Sequence, residues 1–113
     1  MRKFFFFILL LIAFNVFAID RIALVIGNAK YLDDDLNNPV NDAKDIAASL
    51  EELGFEVKLV EDADKTKMEK EIEKFGSQLK ENTTSFFYYA GHAKQLHTVN
   101  YLLPIHSINA IKK

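Results

Sequence analysis

The sequence predicts an α/β protein, a three-layer structure in which a parallel sheet is flanked by helices. Three observations predict it. Short apolar runs alternate with longer segments whose apolar residues recur at helical spacing, in the order strand, helix, strand, helix, strand. A helix-length segment separates each strand from the next, the kind of crossover that joins parallel neighbours. The first run is apolar at every position after its leading Arg21, the pattern of a strand covered on both faces. Two right-handed crossovers then place that strand in the centre of the sheet, with the other two flanking it.

The elements follow in order. Residues 21–26 (RIALVI) are rich in branched side chains and end at Gly27-Asn28, a turn signal. A polar loop carries Asp33, Asp34 and Asp35. Asn38-Pro39 opens the first helix. Asn38 is the expected cap, and Pro39 suits the first helical position, where its missing N–H would be unpaired in any residue. Val40, Ala43, Ile46, Ala47, Leu50 and Leu53 make one apolar face, and Gly54 marks the stop. Residues 55–60 (FEVKLV) alternate and then close apolar, as a half-buried strand does. Thr66 and Glu69 have capping-box spacing, with Met68, Ile72, Phe75 and Leu79 as the buried stripe of a second helix. Its remaining positions are mostly Lys and Glu, a solvated face. Residues 85–90 (SFFYYA) form a third strand that ends in Gly91-His92. Residues 99–103 are a weaker extended segment stopped by Pro104, and the tail carries no clear element.

The first 18 residues differ from the rest. They hold 15 hydrophobic residues and six of the ten Phe, behind Arg2 and Lys3. A short positive region, an apolar run and small residues before a cleavage point make a secretory signal peptide. The apolar stretch is shorter than the roughly 20 residues that span a bilayer. Residues 19–113 are then one domain of an exported protein, periplasmic or secreted, and membrane contact requires an uncleaved signal. In those residues 12 Lys and Arg stand against 16 Asp and Glu, a formal charge of −4. An acidic chain is a poor partner for nucleic acid. The chain has no Cys, which excludes disulfides, Cys-based zinc sites and a thiol nucleophile within these residues.

Open parallel sheets place their sites outside the carboxyl ends of the strands. His92 follows an apolar strand directly, so it belongs at that edge, where a histidine side chain suits a general base or acid. A loop histidine without a role satisfies the same spacing. His97 and His106 lack such a position. His92 and His97 do not assemble a metal set with further ligands. Asp42 lies in the first turn of the first helix, where the helix dipole alone explains a carboxylate; it is also placed to meet a cationic group. The Asp33–Asp35 run is most simply a solvated loop, although a divalent cation would suit it. Gly27-Asn28 lacks the glycine pattern and the Lys of a phosphate loop. Asn82-Thr83-Thr84 fits the glycosylation acceptor pattern, a common chance match.

Four segments in order, RIALVIGNAKY (residues 21–31), LNNPVNDAKDIAASLEELGFEV (36–57), FFYYAGHA (86–93) and NYLLP (100–104), resemble the large-subunit domain of the caspase-like cysteine peptidases. The bacterial and metacaspase-type branch is the nearest in flavour. The resemblance covers about residues 21–105 and implies the caspase-like fold, incomplete at its C-terminus. It implies that His92 matches the catalytic histidine, which activates a cysteine thiol. The backbone N–H of Ala93 takes the place of the oxyanion-hole glycine. Asp42, in Asn41-Asp42-Ala43, matches the aspartate that lines a pocket for a basic P1 residue, and Ala90 matches a further pocket position without a polar group. No cofactor is implied, apart from the calcium that members of this branch can use.

The family's Cys lies about 50 residues after its His, whereas 21 residues follow His92 here. The expectation is therefore a large-subunit domain that stops before its nucleophile and does no thiol chemistry alone. Its partners would be a peptide or protein substrate and a complementing C-terminal chain. The alternative is a non-catalytic caspase-like module that binds a partner without cleaving it. An unrelated α/β nucleotide or response domain fits the strand order but not the His92 segment. A sheet ending at the third strand would expose a pairing edge, so self-association is expected.

Overall fold

The computed structural model describes residues 20–32 and 35–107. The signal peptide expected at residues 1–18, Asp33, Asp34 and the last six residues lie outside these. Among the described residues five strands and two helices follow in order: β1 (Asp20–Gly27), α1 (Pro39–Glu52), β2 (Glu56–Glu61), α2 (Lys65–Ser77), β3 (Thr83–Ala90), β4 (Ala93–Leu96) and β5 (Val99–Leu102). The main sheet has the order β2-β1-β3, with β1 central as its composition predicts. Both pairings are parallel: Ile22 faces Glu56 and Gly27 faces Glu61 on one side, while Asp20 faces Thr83 and Gly27 faces Ala90 on the other.

Alternate residues of β1 serve opposite layers. Ala23 and Val25 pack with Ala43, Ala47 and Leu50 of α1, and Tyr88 joins them. Leu24 and Ile26 pack with Val60, Ala63 and Met68 on the α2 side, joined by Phe75 and Tyr89. This is why the strand is apolar at every position from Ile22 to Ile26: a polar residue there would lose its water on either face. Each fully buried side chain of Leu24, Val25 and Ile26 contributes about 2 kcal/mol by burial.

The helix ends differ from expectation in informative ways. Pro39 does begin α1, but the Asn38 side chain makes no capping bond. Asn38 sits at φ −114°, ψ −10°, outside the extended geometry a side-chain cap needs, and it contributes its carbonyl to the Asp42 N–H at 2.9 Å. Leu53 is 62% exposed, not part of the apolar face, because it is the last turn's cap residue. Gly54 stops the helix at φ 84°, where Gly54 N–H reaches Glu51 O and Phe55 N–H reaches Leu50 O, the Schellman arrangement. In α2 the cap is Asp64, not Thr66. The Asp64 carboxylate accepts from Lys67 N–H at 2.8 Å, so Thr66 falls inside the helix and its box with Glu69 does not form. The helix ends at Ser77, which leaves Leu79 outside it and exposed. Glu71 is buried on the face read as solvated, with Lys67 Nζ 3.3 Å from its carboxylate.

The region after His92 is more ordered than the sequence suggests. The segment at residues 99–103 is β5, and it pairs antiparallel with β4, a strand not foreseen. His97 and Thr98 turn the hairpin with φ of 49° and 70°. Two positive φ values in a two-residue turn usually bring Asn-Gly, and neither residue advertises it.

Candidate functional site at the carboxyl edge of the sheet

Close packing sets the edge. A Cβ on Gly27 would lie 2.6 Å from Pro39 O and 2.7 Å from Ala43 Cβ. Only glycine lets the start of α1 approach the end of β1 so closely. That approach brings the first turn of α1, with the exposed Asp42, to the edge where Gly27 pairs with Ala90 of β3. The chain then passes through Gly91 and His92 into β4, whose first residue is Ala93. His92, Ala90 and Ala93 thus adjoin along the exit of β3, and Asp42 enters the same edge from α1. His97 is exposed at the hairpin tip and His106 is exposed beyond Pro104, so neither joins them. Ala93 is not among the described residues with positive φ, and alanine fits there without strain.

Asn28 holds the edge together and is fully buried. Its backbone N–H donates to Ala90 O at 2.8 Å, and its side-chain oxygen accepts from Ala63 N–H at 2.8 Å. Its amide donates at longer range toward Ala63 O and Leu103 O. One residue, through its backbone N–H and its side chain, therefore ties the ends of β1 and β3 to the β2–α2 connection and to the segment after β5. Asp62 steadies the loop that follows, with one carboxylate oxygen accepting from Ala29 N–H and Lys30 N–H.

Two tyrosines converge on His92. Tyr31, in the loop after β1, is buried, and its hydroxyl accepts from His92 N–H at 2.9 Å. Tyr89 donates to His92 O at 2.6 Å. The two hydroxyls are 3.0 Å apart, and both reach Leu103 O at 2.9 Å. Leu103 N–H returns to His92 O at 2.9 Å, which closes the base of the hairpin. Burial pushes the Tyr89 phenol far above its ordinary pKa, and the bond with Tyr31 adds to this. It therefore stays a donor. Gly91 leaves room for the pair, since a Cβ there would meet the Tyr89 and Tyr31 oxygens at 2.5 and 2.7 Å.

The family model of the caspase domain matches residues 20–112. The chain belongs to the caspase-domain family. It is a peptidase family, and the three-strand parallel sheet with helices on both faces is a partial caspase-like fold. No curated protein matches the chain.

The sequence places Gly27-Asn28 at this edge of the caspase domain but does not show that Asn28 is buried and ties it together, and it gives Tyr31 and Tyr89 no part in it. The Gly-Asn pair reads as a turn signal, and an asparagine buried by contacts distant in sequence has no local signature. Tyr89 was legible in principle: strand alternation puts Tyr88 toward α1 and Tyr89 toward the opposite layer. Among the described residues, no group of three or more His, Cys, Asp or Glu is placed to hold a metal ion. A cleft of about 150 Å³ lies between β1, β2 and α2, and its lining includes neither His92 nor Asp42.

Proposed function

We propose that this chain is the histidine-bearing part of a cysteine-type endopeptidase. His92 is the general base, and the thiol comes from polypeptide outside residues 1–113, which hold no Cys. His92 takes the proton of that S–H, and the thiolate attacks the scissile carbonyl. The carbonyl electron pair moves to oxygen, where the Ala93 N–H stabilises the oxyanion. The adduct collapses and the C–N bond breaks as the protonated imidazole gives its proton to the leaving amine; water, deprotonated by His92, then attacks the thioester and releases the acid and the thiol. Asp42 pairs with a substrate Arg or Lys at P1, and Ala90 shapes the same pocket. The observation that carries this reading is the position of His92 at the carboxyl edge of β3, in a segment within the matched caspase domain. Export to the periplasm or the exterior, directed by residues 1–18, belongs to the same proposal.

The purified chain alone should cleave neither Arg- nor Lys-containing peptides, with or without calcium. Cleavage should appear when a Cys-bearing C-terminal segment of the family is supplied, and His92→Ala should abolish it. Cleavage that survives His92→Ala would sink the assignment. A second reading is a caspase-like module that binds peptide without cutting it. A chain that binds an Arg peptide through Asp42, yet stays inert with any complementing segment, would establish that reading instead.

A further inference from the structure

We propose that Tyr31 and Tyr89 are positioning residues that clamp the main chain of His92 and thereby fix its imidazole. The proposal rests on the reading of His92 as the base. Both peptide groups of His92 are gripped: its N–H by the Tyr31 hydroxyl at 2.9 Å, its C=O by the Tyr89 hydroxyl at 2.6 Å. Holding both sides of the α-carbon sets the direction in which the side chain leaves the backbone. The Tyr31 ring then flanks the imidazole, with ring centroids 4.4 Å apart and planes inclined at 54°. The contacts of both hydroxyls with His92 fall on its main chain.

The two hydroxyls act as a unit. They carry two protons and face the carbonyl oxygens of His92 and Leu103 as well as each other. Removing either hydroxyl redistributes the bonds of the other. Tyr31 reaches His92 across 61 positions of sequence, so the clamp forms only when the loop after β1 has docked. Gly91 is the third member, because any side chain there strikes both tyrosine oxygens.

The test is NMR of the His92 ring in the isotope-labelled full chain, with His97 and His106 as internal references. Tyr31→Phe keeps the flanking ring and removes the hydroxyl; Tyr89→Phe removes the other grip. Each should shift the His92 ring resonances toward those of His97 and His106 and cause loss of the ring-to-ring NOE with residue 31. The reference histidines and the β1 amides should hold their positions, which separates a local clamp from general destabilisation. Gly91→Ala displaces both hydroxyls while keeping both phenols, and it should produce the same shift. Unchanged His92 resonances and NOEs in any folded variant of the three would overturn the clamp. That failure would leave the proposed peptidase role standing, whereas cleavage that survives His92→Ala would remove the role and leave the clamp in place.

Discussion

β1 and β3 are equally long, eight residues each, and both are mostly apolar, yet they are held in opposite ways. β1 has a strand on each side and a helix layer over each face, and its residues from Ala23 to Gly27 are buried. β3 pairs only with β1 among the described residues, and Phe86 and Phe87 are 42% and 45% exposed. What fixes the end of β3 is polar: Ala90 O on the Asn28 N–H, then the tyrosine hydroxyls on either side of His92. Burial stabilises the sheet without direction. Hydrogen bonds add little net stability but set positions. The strand that carries the stability is therefore not the one that carries the site.

Mutations sharpen this contrast, beginning with the centre. Leu24→Ala should cost about 3 kcal/mol, read as a lower urea midpoint with an unchanged slope. A loss below that of the polar substitutions would break the comparison. Asn28→Ala comes next, at about 2 kcal/mol, because it leaves the Ala63 N–H buried without its acceptor. Tyr89→Phe should cost about 1 kcal/mol globally. Its clearest effect should be faster hydrogen exchange at His92 and Leu103, with the β1 amides unaffected. The smallest effect on stability belongs to Phe87→Lys, within about 0.5 kcal/mol. That charge on an open strand edge should still reduce self-association in sedimentation experiments. A wild-type chain that is monomeric at all concentrations would remove the basis for that prediction.

The fold was largely legible because its signals are local. An unbroken apolar strand, Pro39 at a helix start and Gly54 at a helix end each declare themselves within a few residues. The order of elements then fixed β1 in the centre. The helix caps were less legible. Asn38 and Asp64 are both acceptable caps by composition, and only the backbone geometry selects Asp64. The hairpin β4–β5 was hidden because Lys94 and Gln95 carry no strand signal and its turn uses His97 and Thr98. For the site, the position of His92 at the sheet edge was readable from the strand it follows. Its supports were not, since Tyr31 and Leu103 meet it, and Asn28 meets the nearby Ala90, only through tertiary contacts.

The central claim is that the edge formed by Asp42, Ala90, His92 and Ala93 receives a basic peptide residue. It is tested most directly by NMR titration of the full chain with an Arg-containing peptide and with the same peptide bearing Glu in place of Arg. The account predicts shifts clustered at those four residues with the Arg peptide alone, lost in Asp42→Asn. Shifts centred on the open edge of β3, or equal responses to the two peptides, would contradict it.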